Sequence, residues 1–268
     1  MRLPLNGRSI AYDLIGPDTA PAVCITHSLA SDGGSWAEQV PALLQAGFRV
    51  LRLDMRGHGG SDPVTGDYTM RALADDVAVA LDKLSLPRVH YIGLSIGGMI
   101  GQAFALAHAD KLISAMWCDT LPARPSGAAA VWDERMSTVR RANSLAPIAD
   151  GTVERWLTDA FKAKNPGRWR QIRDTVTGTT PAGYLGCCAA ILDFDFVPQL
   201  PSVRLPLLVV CGAEDPGTPA SENRRLAGLV PGARYEEIPN TKHFPNVEAP
   251  DPFNRIMLGW LESQRRAR

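Results

Sequence analysis

Apolar positions along this chain follow two rhythms. Short apolar runs at 22–26, 48–53, 89–92, 112–118 and 207–211 have the length and composition of strands. The run at 207–211 is nearly all apolar, as a strand covered on both faces should be. Between the runs lie segments of helical period. One is predicted over residues 36–46. Another, capped by Thr69, runs to Leu84, with Leu73, Val77, Leu81 and Leu84 on one side while Asp75, Asp76 and Lys83 face away. A helix over 99–107 follows the 89–92 strand. At the start, Leu3-Pro4-Leu5 and residues 9–12 flank Asn6-Gly7, a type I′ hairpin signal. Residues 235–238 read as a last, more exposed strand and 252–262 as a closing helix. This alternation predicts an α/β fold: a mostly parallel eight-stranded sheet with helices on both faces.

The rhythm changes between Leu121 and Pro201. Strand-like runs stop, and helical segments carry Trp132, Trp156, Trp169 and Tyr184, separated by Pro147, Pro166 and Pro181. The chain therefore divides into a core of residues 1–120 and 202–268 and a helical insertion, 121–201, after the sixth strand. Such an insertion would sit over the carboxyl edge of the sheet as a lid.

The chemistry enters at Gly93-Leu94-Ser95-Ile96-Gly97, a G-x-S-x-G with a strand before it and a helix after it. A serine at that junction sits on a sharp turn that holds its Oγ out at the sheet edge, where it can attack a carbonyl. A serine hydroxyl needs a base to take its proton, and the base needs an orienting group. Among five histidines, His90 lies inside a strand and His108 ends a helix. His27 and His58 lie on loops after the third and fourth strands; His27 is expected to anchor its loop, and His58 to hold its own loop or to touch the substrate. His243 follows the final strand and precedes the closing helix, so it is the candidate base. Asp215, just beyond the seventh strand in Gly212-Ala213-Glu214-Asp215-Pro216, is the candidate acid, preferred to Glu214; Asp119, after the sixth strand, is its rival. The backbone N–H groups of Ile96 and Leu29 are the candidate oxyanion donors, and Ser28 is expected beside the substrate.

Composition narrows the class. Lysine plus arginine and aspartate plus glutamate each number 28, so no net field favours nucleic acid or an anionic membrane. The Arg265-Arg266-Ala267-Arg268 tail is locally basic and reads as a solvated end. No run approaches the roughly eighteen apolar residues of a membrane span, and no apolar signal segment opens the chain. The five cysteines show neither zinc spacing nor a disulfide framework and read as reduced, buried small hydrophobes. A cytoplasmic enzyme needing neither metal nor organic cofactor is expected, with self-association left open.

These motifs resemble those of α/β-hydrolase-fold enzymes. Within that superfamily the chain is similar to the 3-oxoadipate enol-lactonases of aromatic catabolism, through residues 54–61, 93–98, 181–191, 212–219 and 243–248. The lid segments Trp132-Asp133-Glu134-Arg135 and 183–191 carry the lactonase likeness in particular. The chain departs from that family at His27-Ser28-Leu29, where asparagine-serine-leucine is usual, and at Lys242-His243-Phe244-Pro245. The resemblance implies an acyl-enzyme hydrolase that opens a small carboxylate-bearing lactone, with Trp132 and Arg135 binding it. The same triad would also suit an esterase or lactonase for another small substrate. The scaffold further hosts carbon–carbon bond hydrolases, haloperoxidase-like enzymes and non-catalytic receptors.

Overall fold

In a computed structural model of the chain, which describes residues 1–266 apart from 6, 125, 126 and 128, eight strands form one sheet. They are β1 (Arg2–Leu5), β2 (Arg8–Ile15), β3 (Ala22–Thr26), β4 (Arg49–Leu53), β5 (Val89–Leu94), β6 (Leu112–Cys118), β7 (Leu207–Gly212) and β8 (Arg234–Ile238). Their order is β1-β2-β4-β3-β5-β6-β7-β8. β1 pairs with β2, and β2 with β4, antiparallel; every later pairing is parallel. β3, β5 and β7 are buried along their whole length, so both sheet faces are covered.

The core helices are α1 (Val40–Gln45), α2 (Met70–Lys83) and α3 (Ile96–Ala107), followed late in the chain by α9 (Ala220–Leu229), α10 (Pro245–Glu248) and α11 (Pro250–Arg266). Thr69 caps α2 as its sequence predicts, its Oγ1 accepting from Ala72 N–H at 3.1 Å. The expected helix over 36–46 is instead a 3-10 turn at Gly33–Trp36 followed by α1. Pro41 explains the break: it has no N–H for a preceding carbonyl, so it sits in the first turn of a new helix.

Asp76 also differs from expectation. Rather than facing solvent it is buried, where it accepts from the guanidinium groups of Arg8 and Arg56. These partners come from β1–β2 and from the loop after β4, so helical periodicity could not reveal them. Of the hairpin signal, Gly7 takes φ +79°, and Asn6 lies outside the described residues. The basic tail is only partly solvated. Arg265 donates to Ala46 and Gly47 carbonyls at 3.0 Å and lies 3.8 Å over the Phe48 ring; residues 267 and 268 lie outside the described set.

Between β6 and β7 the described residues form five α-helices: α4 (Ala129–Ala142), α5 (Ala146–Trp156), α6 (Asp159–Lys164), α7 (Pro166–Gly178) and α8 (Pro181–Asp193). A short neck closes the insertion. Ala123 bridges Asp195, Arg124 N–H donates to Phe194 O at 2.9 Å, and Phe196 N–H to Pro122 O at 2.9 Å. Further ties hold the insertion to the core, among them two between backbones. Thr180 N–H donates to Gly57 O at 2.9 Å, and Phe244 N–H to Trp156 O at 3.2 Å.

Candidate active site

Ser95 sits between β5 and α3 with φ 59° and ψ −118°, a conformation an L-residue adopts only under constraint. The constraint is visible. Ser95 N–H donates to Cys118 O at 2.8 Å, while Thr120 Oγ1 donates to Ser95 O at 2.8 Å. The flanking glycines allow the turn to close. A Cβ on Gly93 would stand 2.2 Å from Gly97 O, and one on Gly97 would stand 2.7 Å from Thr26 O.

The loop after β7 carries Asp215 and the loop after β8 carries His243, both buried. His243 Nδ1 and Asp215 Oδ2 are 2.7 Å apart, so Nδ1 is the donor and, in the neutral ring, Nε2 keeps the lone pair. Asp215 Oδ1 accepts from Gly217 N–H at 2.8 Å and Thr218 N–H at 3.2 Å, and its Oδ2 accepts from the Thr218 hydroxyl. Burial pushes this carboxyl up, but the His243 charge and these donors outweigh it and hold it below the ordinary carboxylate value.

The rival acid has the opposite surroundings. Asp119 at the end of β6 is fully buried at φ 44°, and its Oδ1 accepts Gly212 N–H at 2.8 Å. Among the described residues its Oδ2 has no hydrogen-bond partner. Burial, and then the Asp215 charge, raise its carboxyl well above the usual carboxylate range. Ligand atoms of Asp119, Asp215 and His243 lie within 4.8 Å of one another. They do not suit a metal: ligands of a tetrahedral zinc stand roughly 3.3 Å apart, whereas His243 and Asp215 are already at hydrogen-bond distance, 2.7 Å.

A cavity of about 250 Å³ is lined by Ser28, Leu29, Ser95, Trp132, Arg135 and His243 among others, so all but two of the sequence-predicted site residues line it together with Asp215. The exceptions are Ile96 and the rival acid. Ile96 is fully buried at the first position of α3. Its N–H and that of Leu29 have no protein acceptor among the described residues. The loop carrying Leu29 is held by His27, whose Nδ1 lies 2.8 Å from Ser28 O and whose Nε2 accepts Met55 N–H at 3.0 Å. His58 donates to Arg56 O at 2.9 Å, His90 bonds Ser114 Oγ at 2.8 Å, and His108 bonds Asp75 at 2.7 Å. All four are thus tied to structure.

Thr218, Trp156 and Arg155 are among the cavity residues that escaped the sequence reading as site residues. Thr218 steadies Asp215, Trp156 stacks on His243 with ring centroids 6.4 Å apart, and Arg155 faces the same space. The motif surrounding Asp215 could have suggested Thr218, three residues on. Nothing local marks Trp156 or Arg155, because what they face lies on β5 and β8.

Sheet order, strained serine and the histidine–aspartate pair define an α/β hydrolase. A family model described as alpha/beta hydrolase fold matches residues 21–250, and the chain belongs to that family. It is an enzyme of the carboxylic-ester hydrolase class. Among its relatives, the 3-oxoadipate enol-lactonase 1 of Acinetobacter baylyi is 30% identical over 262 residues, covering 96% of this chain and 95% of that one. The crystal structure of the enol-lactonase from Burkholderia xenovorans is 34% identical, with TM-score 0.93 over 98% of this chain and 100% of that one. A thermophilic esterase from Thermogutta terrifontis is 27% identical, with TM-score 0.91 over 98% and 99%. Among the described residues no helix is long and apolar enough to cross a membrane.

Proposed function

We propose that Ser95, His243 and Asp215 form a catalytic triad that opens a small carboxylate-bearing enol-lactone through an acyl-enzyme. The observation that carries the reading is the 2.7 Å contact between His243 and Asp215 beside a serine strained at φ 59°. His243 Nε2 takes the Ser95 proton as Oγ attacks the ring carbonyl, and the Leu29 and Ile96 N–H groups stabilise the oxyanion. Collapse breaks the ring C–O bond, and the enolate oxygen leaves with the proton held by His243. Tautomerisation to a ketone then disfavours re-closure. Water, deprotonated by the same histidine, attacks the acyl carbon and releases the acid and Ser95.

The lactone itself is argued from the relatives and from the cavity wall, where Trp132 and Arg135 line the same space as Ser95. In this reading the insertion, residues 121–201, is a lid. The described cysteines are all free and buried, which supports work in the reducing cytoplasm. The reaction as written calls for a small ester or lactone and water, with no cofactor, nucleic acid, membrane or second subunit.

The deciding experiment follows ring opening of a muconolactone-derived enol-lactone by the purified protein, beside aryl esters and unrelated lactones. A kcat/KM for the carboxylated enol-lactone well above all others is expected. A flat profile, or preference for an uncharged ester, would replace this reading with a general esterase or another lactonase.

A further inference from the structure

Arginines elsewhere in this protein that are shielded from water have acids against them. Arg8 and Arg56 share Asp76, Arg52 pairs with Asp13 at 2.6 Å, and Arg168 with Glu38 at 2.7 Å. Arg155 and Arg135 break the pattern. They come from neighbouring lid helices, α5 and α4, and line the same cavity. Among the described residues neither has a carboxylate within ion-pair distance. Arg155 bonds only the Thr152 hydroxyl, at 3.1 Å, and Arg135 rests over the Trp132 ring at 5.7 Å.

The acids nearby are otherwise engaged. Glu154, next in sequence to Arg155, pairs with Lys162 at 3.4 Å, and Asp215 is committed to His243. Burial pushes the Tyr184 phenol up, so it adds no negative charge to the wall. Arg155 shows the cost of this arrangement: burial, and then the charge of Arg135, pull its guanidinium down to about 10. Two half-buried like charges without a counter-ion are unfavourable until an anion enters between them.

We infer that Arg155 joins Arg135 in a two-guanidinium subsite that holds the carboxylate on the substrate's acid arm. The inference rests on the lactone reading for the identity of the substrate. The anion site itself stands on the unpaired arginines, and one carboxylate shared by two planar forks would fix the arm's direction as well as its charge.

The test compares wild type with Arg155→Met, Arg155→Lys, Arg135→Ala and the Met/Ala double variant. Substrates are the carboxylated enol-lactone, an enol-lactone with a methyl group in place of the acid arm, and an aryl acetate. Arg155→Met should lower kcat/KM for the carboxylated lactone by about ten- to a hundredfold, mostly through KM, and leave both uncharged substrates within about twofold. Arg155→Lys should recover part of the loss. The double variant should lose less than the product of the single losses, because both arginines serve one anion.

Equal losses on charged and uncharged substrates would overturn the inference, and so would an Arg155→Met enzyme indistinguishable from wild type. If wild type opens neither lactone, the lactone reading falls, and inhibition of aryl acetate hydrolysis by adipate decides the subsite separately. An inhibition constant about tenfold weaker in Arg155→Met upholds the anion site; an unchanged constant removes it.

Discussion

At the sheet edge beneath the cavity, polar groups around Ser95 are already bonded to one another: Asp215 to His243 and Thr218, Thr120 to Ser95 O, His27 to Met55. In the lid helices, Arg135 and Arg155 face the same space, and among the described residues neither has a carboxylate within ion-pair distance. The contrast separates two jobs. A floor satisfied in the absence of substrate keeps the reacting groups in place, because nothing in it needs to rearrange when charge develops on the carbonyl oxygen. A roof left electrostatically incomplete gains most when an anion arrives, so under the proposed function it would select the substrate rather than the reaction.

Damage to the floor should be greatest and indifferent to substrate. Ser95→Ala is expected to abolish turnover of charged lactone and uncharged aryl ester alike, a loss on the order of 10⁶ in kcat. Asp215→Asn should keep the fold and lose about four orders of magnitude on both substrates, since the asparagine would favour the wrong His243 tautomer. Steady-state kinetics on the two substrates checks both variants, and a loss confined to one substrate would erase the distinction between floor and roof.

Damage to the roof should be smaller and selective. Arg135→Ala should cut kcat/KM for the carboxylated lactone by about ten- to a hundredfold and hardly change aryl ester hydrolysis. No change on either substrate would move Arg135 out of the roof's function altogether.

The smallest effect on activity is expected at Asp119, which sharpens the comparison within the floor. Asp119→Asn is isosteric with the protonated acid and should stay within about tenfold of wild-type kcat; a loss matching that of Asp215→Asn would give Asp119 the orienting role. Its stability effect has a definite sign. The folded carboxyl is raised above its unfolded value near 3.9, so the folded state holds a proton that the unfolded state releases. Stability from this group is therefore full below about pH 4 and is lost as pH rises towards the folded value. Asparagine removes that dependence, so urea midpoints should favour Asp119→Asn over wild type more at pH 8 than at pH 5.

Much of the core was legible because its signals are local. β3 and β6 begin and end where their apolar runs do, and Thr69 caps α2 as predicted. The G-x-S-x-G turn could be read because every glycine in it answers a clash within a few residues or with the adjoining strand. The break at Pro41 was legible but not used, whereas the orientation of Asp76 was out of reach because distant chain segments decide it. Asp76 has helical spacing that points outward, yet guanidinium groups 68 and 20 residues away draw it inside.

By itself, then, the order of residues determined the strand-and-helix alternation, the strained serine and the chain order of serine, acid and histidine, since these depend on backbone sterics and short-range periodicity. Tertiary structure alone decided which of two aspartates carries the charge. Asp215 and Asp119 both follow buried strands, but Gly217, Thr218 and His243 surround the one with donors, while burial and the neighbouring charge push the other's carboxyl well above the usual range. It alone also brought Arg155 beside Arg135, because two helices joined by a few residues line one cavity only once the insertion has folded. Charge placed in a low-dielectric space depends on neighbours in three dimensions, and sequence spacing carries no record of those distances.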